Sequence, residues 1–261
     1  MSVLALLFAC TSATERGEQA LARDDLLAAE REFRAALDAD PEDAEALYGL
    51  GWTFHQADED GPARDAFERL VRTHPELPSG YRGLGSLFAA AGNLPEARKQ
   101  LEEALKRAPD DPSVNQSLAL VELAEEKPEA ALSRIDAALA KNPGRPELLQ
   151  TRAVALLKLD RAEEALEQAA AAVAAADSAR SLTAARLTWV SAVLDNVEDR
   201  VDASNCGTTA APVRAWLDGA DHVLDEAEAD GALHDTTLDT RKLVRRRRGW
   251  LEDICAPGGG K

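Results

Sequence analysis

Catalysis in this chain would have to come from four histidines, three cysteines and a short run of glycines. His55, His74, His222 and His234 do not form an H-E-x-x-H pair, and none has a cysteine at metal-ligand spacing, so zinc chemistry finds no template. No G-x-S-x-G turn offers a serine nucleophile. Gly80, Gly83 and Gly85 are too closely set for a phosphate-cradling loop and read as turn and packing glycines. The expectation is therefore no enzyme, with no cofactor, no metal and no small-molecule substrate. A different chemistry is suggested by Tyr48, Trp52 and His55/Gln56. At i, i+4 and i+7/i+8 they share one helical face, apart from the Leu47–Leu50–Phe54 stripe. Aromatic rings flanked by hydrogen-bonding groups suit recognition of another chain. Two roles are open to Trp52: an anchor for a partner, or a cover over the neighbouring structural unit.

The elements that must hold this face follow from a 34-residue period. Pro41, Pro75, Pro109 and Pro143 keep it, as do Ala29, Ala63, Ala97, Ala131 and Ala165. So do Phe33, Phe67, Leu101, Ile135 and Ala169, then Ala36, Leu70, Ala104, Ala138 and Ala172, and finally Gly17, Gly51, Gly85, Ala119 and Ala153. Each period predicts two helices. The first carries Leu47, Leu50 and Phe54, or Tyr81, Leu84 and Phe88; the second carries Ala97, Leu101, Ala104 and Leu105. Gly92-Asn93 and Asp160-Arg161 mark breaks between them. The recurring proline ends the second helix. Pro78, Pro112 and Pro146 stand where the next begins, with Asp111 as an N-cap before Pro112. The small columns let helix axes approach to about 8–10 Å.

These columns resemble the tetratricopeptide repeat (TPR). Leu47, Leu50-Gly51, Phe54, Ala63, Phe67, Leu70 and Pro75 match its pattern, as do Tyr81, Leu84-Gly85, Phe88, Ala97, Leu101, Ala104 and Pro109. The units at 112–145 and 146–179 carry Asn115, Glu122 and Arg152 in columns that are usually apolar, and the unit at 10–43 matches only in its second half. The resemblance implies an all-α fold, a TPR α-solenoid of about five units (10–43, 44–77, 78–111, 112–145 and 146–179) over residues 10–179. It implies a concave groove lined by the first helix of each unit: Tyr48, Trp52, His55 and Gln56, then Arg82 and Ser86, then Gln116 and Leu120, then Gln150 and Val154. A protein or peptide held there is the expected partner. Some relatives grip C-terminal carboxylates with Lys, Asn and Arg; the corresponding positions here are Thr14, Glu18, Gly49, Ser79 and Gly83, so that clamp is absent.

Composition agrees. Apolar residues make up 45% but aromatics only 4%, so the interior must be built from Ala and Leu, the best helix formers. The net charge of −17 opposes binding to nucleic acid. No apolar run is long enough to span a bilayer. Residues 1–9 form a short apolar run before Cys10 and Thr11-Ser12, similar to the end of a bacterial lipoprotein signal whose cysteine is lipidated. No Lys or Arg precedes the run, so an apolar first helical turn of a cytosolic protein is the other reading. The first reading places the protein in the cell envelope, membrane-anchored; the second in the cytoplasm. Cys206 and Cys255 are an even pair that an oxidising compartment would let bond, or two unrelated thiols.

Beyond residue 179 the columns end, and 180–261 reads as a helical extension with a Gly258–Gly260 tail. Leu182, Val190, Val193, Leu194, Val197 and Val201 predict a long helix. Ser204–Ala211 reads as a loop, with Pro212 opening a helix that bears Val213, Trp216, Leu217, Ala220 and Leu224. Thr236-Thr237-Leu238-Asp239 reads as a capping box for a third helix bearing Leu243, Trp250, Leu251 and Ile254. A cap hiding the last apolar face is the expected role, a small separate binding domain the alternative. Arg245–Arg248 would meet an anionic partner, or else be solvated or paired with Glu252 and Asp253.

Overall fold

A computed structural model describes residues 12–176, 179–200, 206–229 and 234–255. Cys10 and the segment before it, and the glycine tail, lie outside the described residues. Thirteen helices and no strand occur among those described. The chain divides between Val121 and Glu122 into two compact units, and the boundary falls within one helix.

The first unit holds α1 (Ala13–Ala22), α2 (Leu26–Ala39), α3 (Ala44–Gln56), α4 (Asp60–Thr73), α5 (Pro78–Ala90), α6 (Leu94–Arg107) and most of α7 (Pro112–Ala124). Partners within a hairpin are joined by short turns and pack along each other, so they run antiparallel. Starts are written in the sequence. Ser12 and Glu15 form a reciprocal capping box on α1. Asp25, Asp43, Asn93 and Asp111 accept from backbone N–H groups at the starts of α2, α3, α6 and α7. Thr14 donates to Asp43 at 2.8 Å, fastening α1 to the start of α3. Carbonyls in the inter-repeat turns are captured too: Arg69 donates to Pro41 O, Arg107 to Pro75 O, and His74 Nε2 to Glu42 O at 2.6 Å. A carbonyl can only accept, so His74 carries its proton on Nε2 there.

The hairpin turns share a backbone feature that residue type conceals. Asp24, Asp58, Gly92, Glu126 and Asp160 recur every 34 residues, all with φ between 56° and 74°. A Cβ in this left-handed region costs about 1–2 kcal/mol, and only one unit uses glycine. Glu126→Gly should therefore stabilise the fold, by about 0.5–1 kcal/mol. Gly92→Ala should destabilise by about 1 kcal/mol although no atom lies within 4 Å of the added carbon. Urea midpoints check both, with the equally open helical Gly61→Ala as a contrast that should stabilise, by up to about 1 kcal/mol.

Packing in the first unit is knob into slot. The Phe33 ring lies against Gly17 of α1 and Gly49 of α3, and the Phe67 ring against Gly51 of α3 and Gly83 of α5. A Cβ on Gly17 would fall 2.7 Å from Phe33, and one on Gly51 2.5 Å from Phe67, closer than real carbons come. Leu101 fills the next slot beside Gly85. Gly49 and Gly83 thus serve packing.

The second unit holds the end of α7, then α8 (Pro128–Lys141), α9 (Pro146–Leu157), α10 (Ala162–Ala175), α11 (Ala179–Arg200), α12 (Cys206–Ala229) and α13 (His234–Ile254). The polar residues in apolar columns find partners. Glu122, 4% exposed, accepts from Arg134 Nη2 at 2.7 Å and Nε at 3.0 Å. Arg152 donates to Asp136 at 2.7 Å. Asn115, on the other side of the boundary, donates to Pro109 O and Asp111 O within its own unit.

Two expected boundaries move. α12 begins at Cys206, so most of the anticipated loop is helix and Pro212 sits inside it. The hydrogen bond that proline forfeits is offset by burial of Val213, Leu217, Ala220 and Leu224 in one cluster with Val190, Val193, Leu194, Val244 and Leu251. α13 begins at His234, ahead of the anticipated capping threonines. The side chains of Trp216 and Ile254 lie outside the described residues. Within the basic run, Arg248 pairs with Asp218 and Asp221 of α12, and Arg241, seven residues earlier, pairs with Asp225 and Glu228. Both arginines are thereby committed to holding α13 on α12.

Candidate functional site

Two clusters of the expected groove residues emerge, one in each unit. In the first, α3 and α5 bring Tyr48, Trp52 and Arg82 together. The Tyr48 and Trp52 rings meet edge to face at 6.0 Å between centroids, and each lies 5.9 Å from the Phe67 ring. The Arg82 guanidinium sits over both, 5.2 Å from the Tyr48 centroid and 5.9 Å from that of Trp52, and donates to the Tyr48 hydroxyl. Burial pushes the Tyr48 phenol above its ordinary pKa, with the Arg82 charge opposing the shift. Both residues are half-buried, and Trp52 packs on Phe67.

The His55 ring lies 5.4 Å from that of Trp52, tilted by 59°. Its Nδ1 is buried without a hydrogen bond; the Asp60 carboxylate, at 3.5 Å, is within ion-pair range but poorly aligned for one. Gln56 Oε1 is also buried and unbonded. Two orphan polar atoms beside an aromatic pair are an energetic liability of about 1–3 kcal/mol each unless something else bonds them. Ser86 of α5 is half-buried and Gln116 of α7 hydrogen-bonded or otherwise engaged, while Leu120 is 48% exposed, large for an apolar side chain.

A second arginine–tyrosine pair had no signal in the sequence. Arg107 lies 3.9 Å over the Tyr81 ring and donates to its hydroxyl at 2.9 Å. The residues are 26 apart, on α5 and α6, and only the hairpin's antiparallel register reveals that they meet.

In the second unit, Gln150 and Val154 line a groove of about 640 Å³ between α9 and α11. Gln150 Nε2 donates to Thr188 Oγ1 at 3.1 Å, and Leu156 shares a buried cluster with Ala192, so the two helices run in the same direction. Ala184, Thr188 and Ser191 of the groove stand 34 residues after Gln150, Val154 and Leu157. The spatial period thus continues one helix past the point where the residue columns end. Cys255 is disulfide-bonded; the side chain of Cys206 lies outside the described residues.

Among the described residues, no group of His, Cys, Asp and Glu could hold a metal ion, and no helix is long and apolar enough to cross a membrane. The family model for the tetratricopeptide repeat matches residues 14–78, 61–112 and 117–181. Among solved structures, a thermophilic TPR protein of Thermus thermophilus is similar at 28% identity over 70% of this chain and 97% of that one, with a TM-score of 0.63. Pseudomonas aeruginosa pilF is similar at 19% identity over 88% and 95% of the two chains, with a TM-score of 0.56. A chain of the APC/C hetero-tetramer Cut9–Hcn1 reaches a TM-score of 0.66 at 18% identity, over 89% of this chain and 42% of that one. The last two show likeness of fold alone. No curated protein matches this sequence. Hairpin packing and these matches agree on the class: all-α, of the TPR α-solenoid kind.

Proposed function

Because this chain belongs to the tetratricopeptide-repeat family, whose members generally act as protein-interaction scaffolds, we propose that it is a non-catalytic scaffold gripping a peptide segment of a partner protein on the first-helix faces. Tyr48, Trp52 and Arg82 form the centre of that grip in the first unit, with His55, Gln56, Ser86, Gln116 and Leu120 around it; Gln150 and Val154 contribute in the second. The observation that carries the reading is the cluster of half-buried Tyr48 and Trp52 rings beneath the Arg82 guanidinium, on neighbouring first helices. A bound segment would supply apolar area to the rings.

The test is capture of partners from native membranes by the whole protein, followed by identification and titration of each. Trp52→Ala and Arg82→Ala should each weaken a partner by tenfold or more, since anchors of this kind are worth about 2 kcal/mol. Unchanged titrations in both variants overturn the assignment.

The proposal includes an envelope location, with Cys10 lipidated and a bond between Cys206 and Cys255 outside the cytoplasm. What supports it is the apolar run ending at Cys10 and the disulfide at Cys255. Palmitate labelling that disappears in Cys10→Ser is the expected result. Unlabelled protein recovered from the cytoplasm would favour a soluble adaptor instead.

A further inference from the structure

The groove between α9 and α11 has a graded chemistry along its length. Gln150 gives one amide N–H to Thr188, and Thr188 in turn donates to Ala184 O at 3.0 Å, so that end offers the Gln150 carbonyl oxygen as an acceptor and its second N–H as a donor. The middle is apolar, walled by Val154 and Leu157 on one side and Leu187 on the other. At the far end stands Lys158, exposed and without an ion-pair partner among the described residues, although acids outnumber bases 47 to 30 in the chain. Eight helical residues separate Gln150 from Lys158, or about 12 Å. An extended peptide covers that distance in about four residues.

We propose that this groove binds a short extended peptide segment carrying an apolar side chain and, two positions away, an acidic one. The complement follows end by end. A backbone N–H of the segment donates to Gln150. The apolar side chain enters between Val154 and Leu187. The Val154–Lys158 separation is one helical turn and a fraction, about 6 Å, and matches the i to i+2 repeat on one side of an extended chain, so the carboxylate reaches the Lys158 ammonium. Lys158 selects by sign: in an acidic protein an unpaired ammonium at the end of an apolar slot favours an anion and disfavours a cation. This inference names the ligand chemistry of the second-unit part of the scaffold reading and rests on it.

The experiment uses the whole chain and fluorescent pentapeptides, capped at both ends, containing Leu-x-Glu, Leu-x-Gln or Leu-x-Lys. Fluorescence anisotropy should show Leu-x-Glu binding about two- to fivefold more tightly than Leu-x-Gln, Leu-x-Lys weakest, and the preference shrinking as salt is raised. Lys158→Met, a change at an exposed side chain, should level the Glu and Gln peptides. Ala184→Trp, which fills the slot, should abolish binding of both. Equal binding of Glu and Gln peptides by the unsubstituted chain overturns the inference, as does a preference that survives Lys158→Met. Binding of decanoate with no binding of any peptide also overturns it. Loss of the pentapeptide result with Trp52-dependent capture intact removes this groove and leaves the scaffold standing; the reverse pattern removes the aromatic centre and leaves the groove.

Discussion

Phe67→Ala should lower unfolding stability by about 3–5 kcal/mol, as the deletion of a large core side chain does when its cavity cannot collapse. Phe67 has no exposed surface and lies between the backbones of α3 and α5 at Gly51 and Gly83. Those helices cannot close on the void without breaking their own packing, so the cost belongs at the upper part of the range. The complementary change, Gly83→Ser, forces a side chain into space the ring occupies and should cost about 1–3 kcal/mol. The informative variant is Phe67→Leu with Gly83→Ser. It rebuilds in the second repeat the residues of the third, where Leu101 stands in the knob column, Gly85 beside it and Ser117 in the column of Gly83. The double variant should be less destabilised than the sum of its parts by about 1 kcal/mol or more, the coupling expected for residues in contact. Strict additivity would mean that knob and slot do not sense each other. Urea melts read the effect. Hydrogen exchange should place it in α3–α5, because in stacked repeats a perturbation is felt chiefly by nearest neighbours.

The same column shows what was legible in the sequence and why. Phe33, Phe67, Leu101, Ile135 and Ala169 diminish along the chain while the facing columns grow, from Gly17 and Gly49 to Ala153 and Ala185. The knob column stays apolar and the facing columns stay small, so period and hairpin could be read directly. Residues with two readings were harder. Gly49 and Gly83 mark the absence of a carboxylate clamp, but absence of a side chain is also what a ring needs beside it. The left-handed turn was hidden because Asp, Gly and Glu share no property except the backbone angle that the turn imposes on them. Arg82 and Tyr48 were both expected in the groove, and the 34-residue offset puts them on neighbouring first helices. Arg107 with Tyr81, and Arg241 and Arg248 with the acids of α12, depend on helix register and rotamer, which no periodicity encodes. The α12 start lies earlier than expected because a proline suits a first helical turn, and the apolar surface that keeps the helix intact around Pro212 is visible only in the packed structure.

Glu122→Ala should destabilise the second unit. The carboxylate is almost fully buried and holds Arg134 through two bonds. Removing one member of such a pair leaves the other to lose its hydration without compensation, at about 3–5 kcal/mol in a closed interior. Arg134 keeps a quarter of its side chain in solvent, so part of its charge can rehydrate and the expected loss is nearer 2–3 kcal/mol. The column tells what should repair it. Phe54, Phe88 and Leu156 stand where Glu122 stands, each in an apolar setting. Glu122→Leu alone strands Arg134 and should also destabilise. Glu122→Leu with Arg134→Met removes both charges together and should return to the parent's stability or exceed it, since a buried pair seldom repays its desolvation against well-packed apolar groups. Urea midpoints at low and high salt provide the check. A midpoint difference between parent and Glu122→Ala that vanishes in high salt would show a screened surface pair; persistence, together with recovery in the double variant, would establish that the charges are tolerated by the repeat and not required by it.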